Sequence, residues 1–269
     1  MTIMWEILLP FLGLLIGTVA ALTGIGGGVF IVPLLTLFFA FSPANAGATS
    51  HTVIVFTALT GTLIYSRQKR ISYRTGALFA ATTTPGGLLG VYLTTVMSAR
   101  TLGLIFGFFM IIFVAIPISI DLNSIRLKRS SSSGGGKADV NSGRVPFNSL
   151  RKVLLGAILS FFGGIASGLL GIGGGVLIVP ILTLVVGMSI HFATATSMFT
   201  MVFTSTSEAV QHYFANQTNF EYTLLLALGT VLGALMGAYL SKRTSGKNLR
   251  RIFGLVIVIV GIQMILKYI

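Results

Sequence analysis

Apolar runs separated by short polar interruptions set the pattern of this chain. They cover about residues 4–22, 28–41, 45–66, 74–97 and 100–120, and then about 152–169, 175–188, 192–213, 220–241 and 247–268. Most reach the roughly 18 residues that a helix needs to cross a hydrocarbon core of about 30 Å. The second run of each set is shorter. The pattern predicts ten helical segments in two sets of five, and an all-α chain that passes repeatedly through a bilayer.

The two sets are copies of each other. Displacing the sequence by 147 residues aligns, without a gap, Gly24 with Gly171, Pro33 with Pro180, Thr49 and Ser50 with Thr196 and Ser197, Gly86 with Gly233, and Tyr92 with Tyr239. Between Thr23–Leu37 and Leu170–Leu184, 12 of 15 positions are identical, more than a shared apolar bias produces. The expected division is a first membrane repeat over 1–122, a linker over 123–149 and a second repeat over 150–269. The linker carries "RLKRSSSSGGGKADVNSGR", whose Ser, Gly and charge content cannot bury itself.

Composition agrees with the pattern. With 54% hydrophobic and 9% charged residues, the chain has too little polar surface to coat a soluble globule. The run from Met4 to Leu22 is too long for a signal core, lacks a basic start and leads into further membrane sequence, so it reads as a retained segment. A net charge of +13 would raise nucleic-acid binding in a soluble protein. Here the basic residues lie in loops between apolar runs, which points to membrane orientation and contact with lipid, with no nucleic-acid partner. Cysteine is absent, which excludes disulfides, thiolate metal sites and cysteine nucleophiles.

The charge of the loops differs between the copies. Arg67, Lys69, Arg70 and Arg74 load the loop after the third segment of the first half, whereas its counterpart, "HYFANQTNFEY", has no Lys or Arg. In the second half Lys242, Arg243, Lys247, Arg250 and Arg251 load the next loop instead. With the basic linker taken as cytoplasmic, the halves are expected to insert in opposite senses, as two inverted-topology repeats. That requires an odd number of crossings per half. Five crossings satisfy it, and so do three plus a re-entrant hairpin formed by the first two segments.

"GIGGGVFIVP" at Gly24 to Pro33 and "GIGGGVLIVP" at Gly171 to Pro180 place a Gly-rich break at the same point of each copy. In hydrocarbon, non-helical backbone is tolerated only where protein or a watery cavity surrounds it. An apolar segment begins straight after each break, and its first amides lack intrahelical acceptors, so this end attracts an anion. Gly24, Gly26, Gly27 and Gly28, with Gly171, Gly173, Gly174 and Gly175, are therefore expected to line a substrate site. The alternative is close packing or a plain turn. Packing is the expected role of the small-xxx-small pairs Gly13/Gly17, Gly86/Gly90, Gly103/Gly107, Gly164/Gly168 and Gly229/Gly233/Gly237. Thr49, Ser50, Thr196 and Ser197 open the third segment of each half, and their hydroxyls can donate to an anion or bridge helices. Thr57, Thr60, Thr204 and Ser207 extend that polar stripe. His51, Glu208 and His212 are ionisable residues inside apolar runs, candidates for coupling or gating. Snorkelling or local pairing is their alternative role.

The paired "GIGGGVFIVPLLT" and "GIGGGVLIVPILT", each followed by an Ala-Thr-Ser element ("GATSHT", "TATSMF"), resemble the sulfite exporter TauE/SafE family of membrane transporters. The likeness covers both halves. It implies movement of small anions of sulfur metabolism, such as sulfite or sulfonates, across a prokaryotic plasma membrane, or related functions in plants. His51 stands where the second half has Met198, so the copies are not chemically equivalent.

The resulting expectation is a multi-pass secondary transporter of the plasma membrane that holds a small oxyanion between the breaks and exposes it alternately as one half rocks against the other. No cofactor and no metal is called for. An anion channel would share the positive helix ends. An enzyme would lack its parts, since there is no H-E-x-x-H, G-x-S-x-G, paired carboxylate or cysteine. A scaffold would leave the helix breaks without a reason.

Overall fold

The computed structural model describes residues 2–115, 150–241 and 259–269. The expected linker and the basic cluster from Lys242 to Arg251 lie outside the described residues. The described residues form α1 (Thr2–Thr23), α2 (Gly28–Phe38), α3 (Pro43–Arg67), α4 (Tyr73–Val96) and α5 (Ala99–Phe109), which runs on as a π-helical turn over Met110–Ala115. The second set is α6 (Leu150–Leu170), α7 (Gly175–Pro180, extended as π-helix over Ile181–Val185), α8 (Ile190–Phe214), α9 (Phe220–Leu240) and α10 (Ile259–Tyr268). The chain is an all-α polytopic membrane protein. Pro43–Arg67, Arg151–Leu170 and Phe220–Leu240 are each long and apolar enough to cross a bilayer.

The duplication is written in the backbone as well as in the sequence. Among the described residues ten have positive φ: Gly24, Gly26, Gly27, Ala40, Lys69, Gly171, Gly173, Gly174, Gly187 and Asn216. They form five pairs, each 147 positions apart. Ala40 and Gly187 follow the short helices, and Lys69 and Asn216 turn the chain after α3 and α8. Left-handed conformations cost L-residues free energy, so their recurrence at matching positions reflects one local design used twice.

Large apolar side chains such as Phe11, Leu15, Phe162 and Leu224 lie exposed on the outside, where lipid would cover them. Many hydroxyls, Thr49, Ser50, Thr196 and Ser197 among them, are buried. A buried hydroxyl needs an acceptor, and several take the carbonyl one turn back, as Thr57 does from Val53 and Thr204 from Thr200. Thr60 and Ser207 do the same on exposed faces, so the outer half of the predicted polar stripe looks away from the centre.

Helix pairing crosses between the halves. α1 lies along α9, with Gly229 against Pro10, Gly233 against Leu14 and Gly237 against Thr18. α6 lies along α4 in the same way, with Gly164 against Thr83 and Gly168 against Gly87. In each pair the glycine meets backbone, so the small-xxx-small spacing does pack helices, always with a partner from the other half. Both numberings rise together, which makes the members of each pair parallel.

Other contacts fix the remaining directions. Asn219 at the start of α9 meets Thr49 near the start of α3, and Gln68 after α3 donates to the carbonyl of Ala238 near the end of α9. Ser72 meets Thr196 and Gly76 meets Thr200, which sets α4 and α8 parallel. α3 and α8 cross antiparallel, with His51 against Glu208 and Gly61 against Met198. Thus α1, α3 and α9 point one way and α4, α6 and α8 the other. Arg70 donates to Ser241 Oγ at 3.3 Å, so the loop after α3 and the end of α9 lie at one end of the molecule.

α2, at 11 residues, is about 16 Å long and too short to cross. Gly28 lies by Ser50, and Val32 approaches Gly171 beside Gly47, so α2 runs antiparallel to α3. α2 therefore runs back beside α3, a direction that five crossings and a re-entrant hairpin share.

Candidate functional site

Each break is a glycine turn that reverses the chain and starts a helix. Gly27 (φ 95°) is the N-cap of α2 and Gly174 (φ 73°) that of α7, and neither helix has a side-chain cap. Positive φ at these positions is why glycine is required. After the cap, Phe30 and Ile31 donate to the Gly27 carbonyl, and Leu177 and Ile178 to that of Gly174. The first-turn amides are left without a side-chain acceptor.

The two breaks meet. Gly28 packs on the carbonyl of Gly171, and Gly175 on the carbonyl of Gly24. Any Cβ at Gly28 or Gly175 would collide with that backbone. Ile54 of α3 touches Gly26 and Gly173, and Met201 of α8, its counterpart, touches Gly26 and Gly175. All eight candidate glycines are buried. The breaks look neither at lipid nor away from each other.

The candidate hydroxyls tie each half to the other's break. Ser50 Oγ donates to Gly171 O at 2.7 Å, and Ser197 Oγ donates to Gly24 O at 2.9 Å. Thr49 Oγ1 accepts from the amide of Asn219 at 3.3 Å, and Thr196 Oγ1 from that of Ser72 at 3.1 Å. Each is the 147-residue image of its partner. These bonds serve the helix-bridging role, and in this conformation they commit the protons of Ser50 and Ser197, while Thr49 and Thr196 act as acceptors.

One side of the centre departs from the symmetry. His51 Nε2 lies 3.0 Å from Glu208 Oε2 and 3.2 Å from the carbonyl of Ser167, and Ser167 Oγ donates to the same carboxylate oxygen at 3.2 Å. The rings of His51 and His212 stack at 5.3 Å, and His212 Nδ1 is 2.7 Å from Gln217 Oε1. The three ionisable candidates thus form one buried cluster. His51 Nδ1, Glu208 Oε1, His212 Nε2 and Ser205 Oγ have no hydrogen-bond partner.

The family model described as Sulfite exporter TauE/SafE matches residues 9–264, nearly the whole chain. This protein belongs to the sulfite exporter TauE/SafE family. Among its relatives is the probable membrane transporter protein YunE of Bacillus subtilis, 32% identical over 267 residues, which span 96% of this chain and 97% of that protein. The probable membrane transporter protein MJ0441 of Methanocaldococcus jannaschii is 25% identical over 281 residues, 97% of this chain and 96% of the relative. Sulfite exporter TauE/SafE family protein 1 of Arabidopsis thaliana is 30% identical over 110 residues, 41% of this chain and 24% of that protein. No solved structure matches the chain. Membership makes the protein a membrane transporter and agrees with the helices that can cross a bilayer.

The structure of this TauE/SafE member therefore brings all the candidate glycines, the four hydroxyls and the His51 cluster to one buried region. Two residues were not among the candidates. Ser167, on α6, and Ser205, on α8, border Gly174 and Gly173 respectively. Their signal is visible once the halves are aligned, because Ser167 stands opposite Ala20 and Ser205 opposite Ala58.

Proposed function

We propose that this chain is a secondary transporter that moves a small anion, sulfite or an organosulfonate, by alternating access across the plasma membrane. The substrate site is the place where the two glycine breaks meet. The supporting observation is the reciprocal contact of Gly24 with Gly175 and Gly28 with Gly171, buried among helix entrances that no side chain caps. Such entrances favour negative charge. The loop charges and helix directions favour two inverted repeats over 1–122 and 150–269 with a cytoplasmic linker.

The Ser50 and Ser197 hydroxyls give this site a means of opening. A hydroxyl has one proton to donate, and here each donates to the opposing break. An anion that accepts a hydrogen bond from either hydroxyl frees the carbonyl that hydroxyl held, Gly171 for Ser50 or Gly24 for Ser197, and loosens the contact between the breaks. Because α1 packs on α9 and α6 on α4, the moving bodies are not the two sequence halves. They are α1, α3 and α9 on one side and α4, α6 and α8 on the other, turning about the α3–α8 crossing. His51, Glu208 and His212, at that crossing, couple or gate the motion.

Purified protein in liposomes should exchange labelled sulfite or a sulfonate with saturation at carrier turnover. Conductance far above that turnover would make the protein an anion channel. Protein-independent flux would remove the reading.

A further inference from the structure

The two breaks share a backbone but not a chemistry. Around the second break stand Ser167, Ser205, Glu208, His51 and His212. The residues 147 positions away are Ala20, Ala58, Gly61, Met198 and Tyr65. Gly173 lies near Ser205 Oγ and Gly174 near Ser167 Oγ, each 3.5 Å from where a Cβ would stand. At the first break the corresponding neighbours are apolar: Gly26 meets Met201 and Ile54, and Gly27 meets Ile16 and Ala20. Where His51 faces Glu208, its image Met198 faces Gly61.

The polar wall is also unfinished. Ser167, His51, Glu208 and Ser205 have 0% exposure and His212 has 1%. Even so, Ser205 Oγ, His51 Nδ1, Glu208 Oε1 and His212 Nε2 lack partners. A buried polar atom without a partner is costly, and these four, Ser205 at the turn and the other three in the cluster that Ser167 joins to it, call for an occupant or a proton.

We propose that the anion site is one-sided: the anion is held at the second break by Ser205, beside the Ser167–Glu208–His51 chain, and the His51–Glu208 pair takes up one proton together with it. This deepens the transport reading above and rests on it. Charge balance supplies the argument. With His51 neutral and Glu208 ionised, the pair carries −1 beside the site and repels an anion in a medium of low dielectric. One added proton, on His51 Nδ1 or Glu208 Oε1, brings the pair to zero. Both atoms are bare in this structure. The groups facing Glu208 are His51 from α3, Ser167 from α6, Gly87 from α4 and, one turn along α8, His212, which stacks on His51 and bonds Gln217. No Lys or Arg is among them to offset the carboxylate. The cargo is therefore one proton per anion, moving in the same direction, and the first break is the apolar half of the hinge.

The test uses full-length protein in liposomes with the membrane potential clamped at zero, and labelled sulfite and ethanesulfonate as probes. Exchange, with equal pH on both sides, reports binding and movement. Accumulation, with the outside one pH unit more acidic, reports coupling. Wild type should exchange a probe and accumulate it up to about tenfold, as one proton per anion requires. Glu208→Gln should lose acid-driven accumulation relative to whatever exchange it retains, so that its ratio of accumulation to exchange falls well below that of wild type. Ser205→Ala removes a hydroxyl that makes no hydrogen bond in the fold, and it should raise the KM for exchange about fivefold. Exchange without acid-driven accumulation in wild type would overturn the proton claim, as would an undiminished ratio of accumulation to exchange in Glu208→Gln. An unchanged KM in Ser205→Ala would overturn the placement at the second break. Absence of exchange with both probes would remove the transport reading and this proposal with it.

Discussion

Gly87 and Glu208 pack directly on each other: the carboxylate Oε1 lies too close to the Cβ position of Gly87 for a side chain to stand there. The α4–α8 contact can bring Glu208 to His51 because residue 87 has no side chain. Residue 234, its image, is Ala, facing a half-site with no carboxylate to accommodate. The glycine belongs to the polar cluster as much as the acid does.

Gly87→Ala should therefore displace Glu208 and weaken its bond to His51, with a stability loss of about 1–3 kcal/mol. The loss should largely vanish when Glu208 is also changed to Ala. Thermal melts of the two single variants and the double variant in detergent measure this coupling, and additive losses would contradict the contact.

His51→Ala leaves a buried carboxylate without its partner, which typically costs about 3–5 kcal/mol. Adding Glu208→Gln should recover most of that. Denaturant or thermal unfolding checks both, and a double variant no more stable than His51→Ala would contradict the pairing.

Ser50→Ala and Ser197→Ala should destabilise by similar amounts, about 1 kcal/mol each, because each removes one buried bond to the opposing break. A neutral result at one position alone would deny the mirrored geometry.

Gly168→Ala and Gly233→Ala should abolish or severely reduce folded protein, since the new methyl meets the backbone of Gly87 or Leu14, which cannot step aside. Gly187→Ala meets nothing within 4 Å and pays only for its φ of +86°, about 1 kcal/mol. Size-exclusion profiles and melts would separate the two classes.

Much of this was legible in the chain because it is local and repeated. The apolar runs marked the helices closely, and the 147-residue offset marked the breaks and the Thr-Ser pairs. The crosswise pairing of α1 with α9 and α4 with α6 was not legible, since glycine spacing shows that a helix packs tightly but not on what. Ser50 and Ser197 were identified, but their acceptors lie in the other half, and no local pattern names Gly171 or Gly24. Repetition does not mark Ser167 and Ser205, because it marks what the halves share and these two matter by differing from Ala20 and Ala58. The shortness of the second run was legible, and the 11 residues of α2, not its direction against α3, are what set it apart from a crossing helix.

The most direct measurement of the central claim, two opposed copies meeting at their glycine turns, is the sidedness of Lys69 and Asn216. They are images of each other and turn the chain after α3 and α8. The chain has no cysteine, so Lys69→Cys and Asn216→Cys each give one thiol for a membrane-impermeant maleimide. Labelling from opposite faces of intact cells or oriented vesicles is the predicted result. Labelling of both from one face would contradict the inverted arrangement and the shared site built on it.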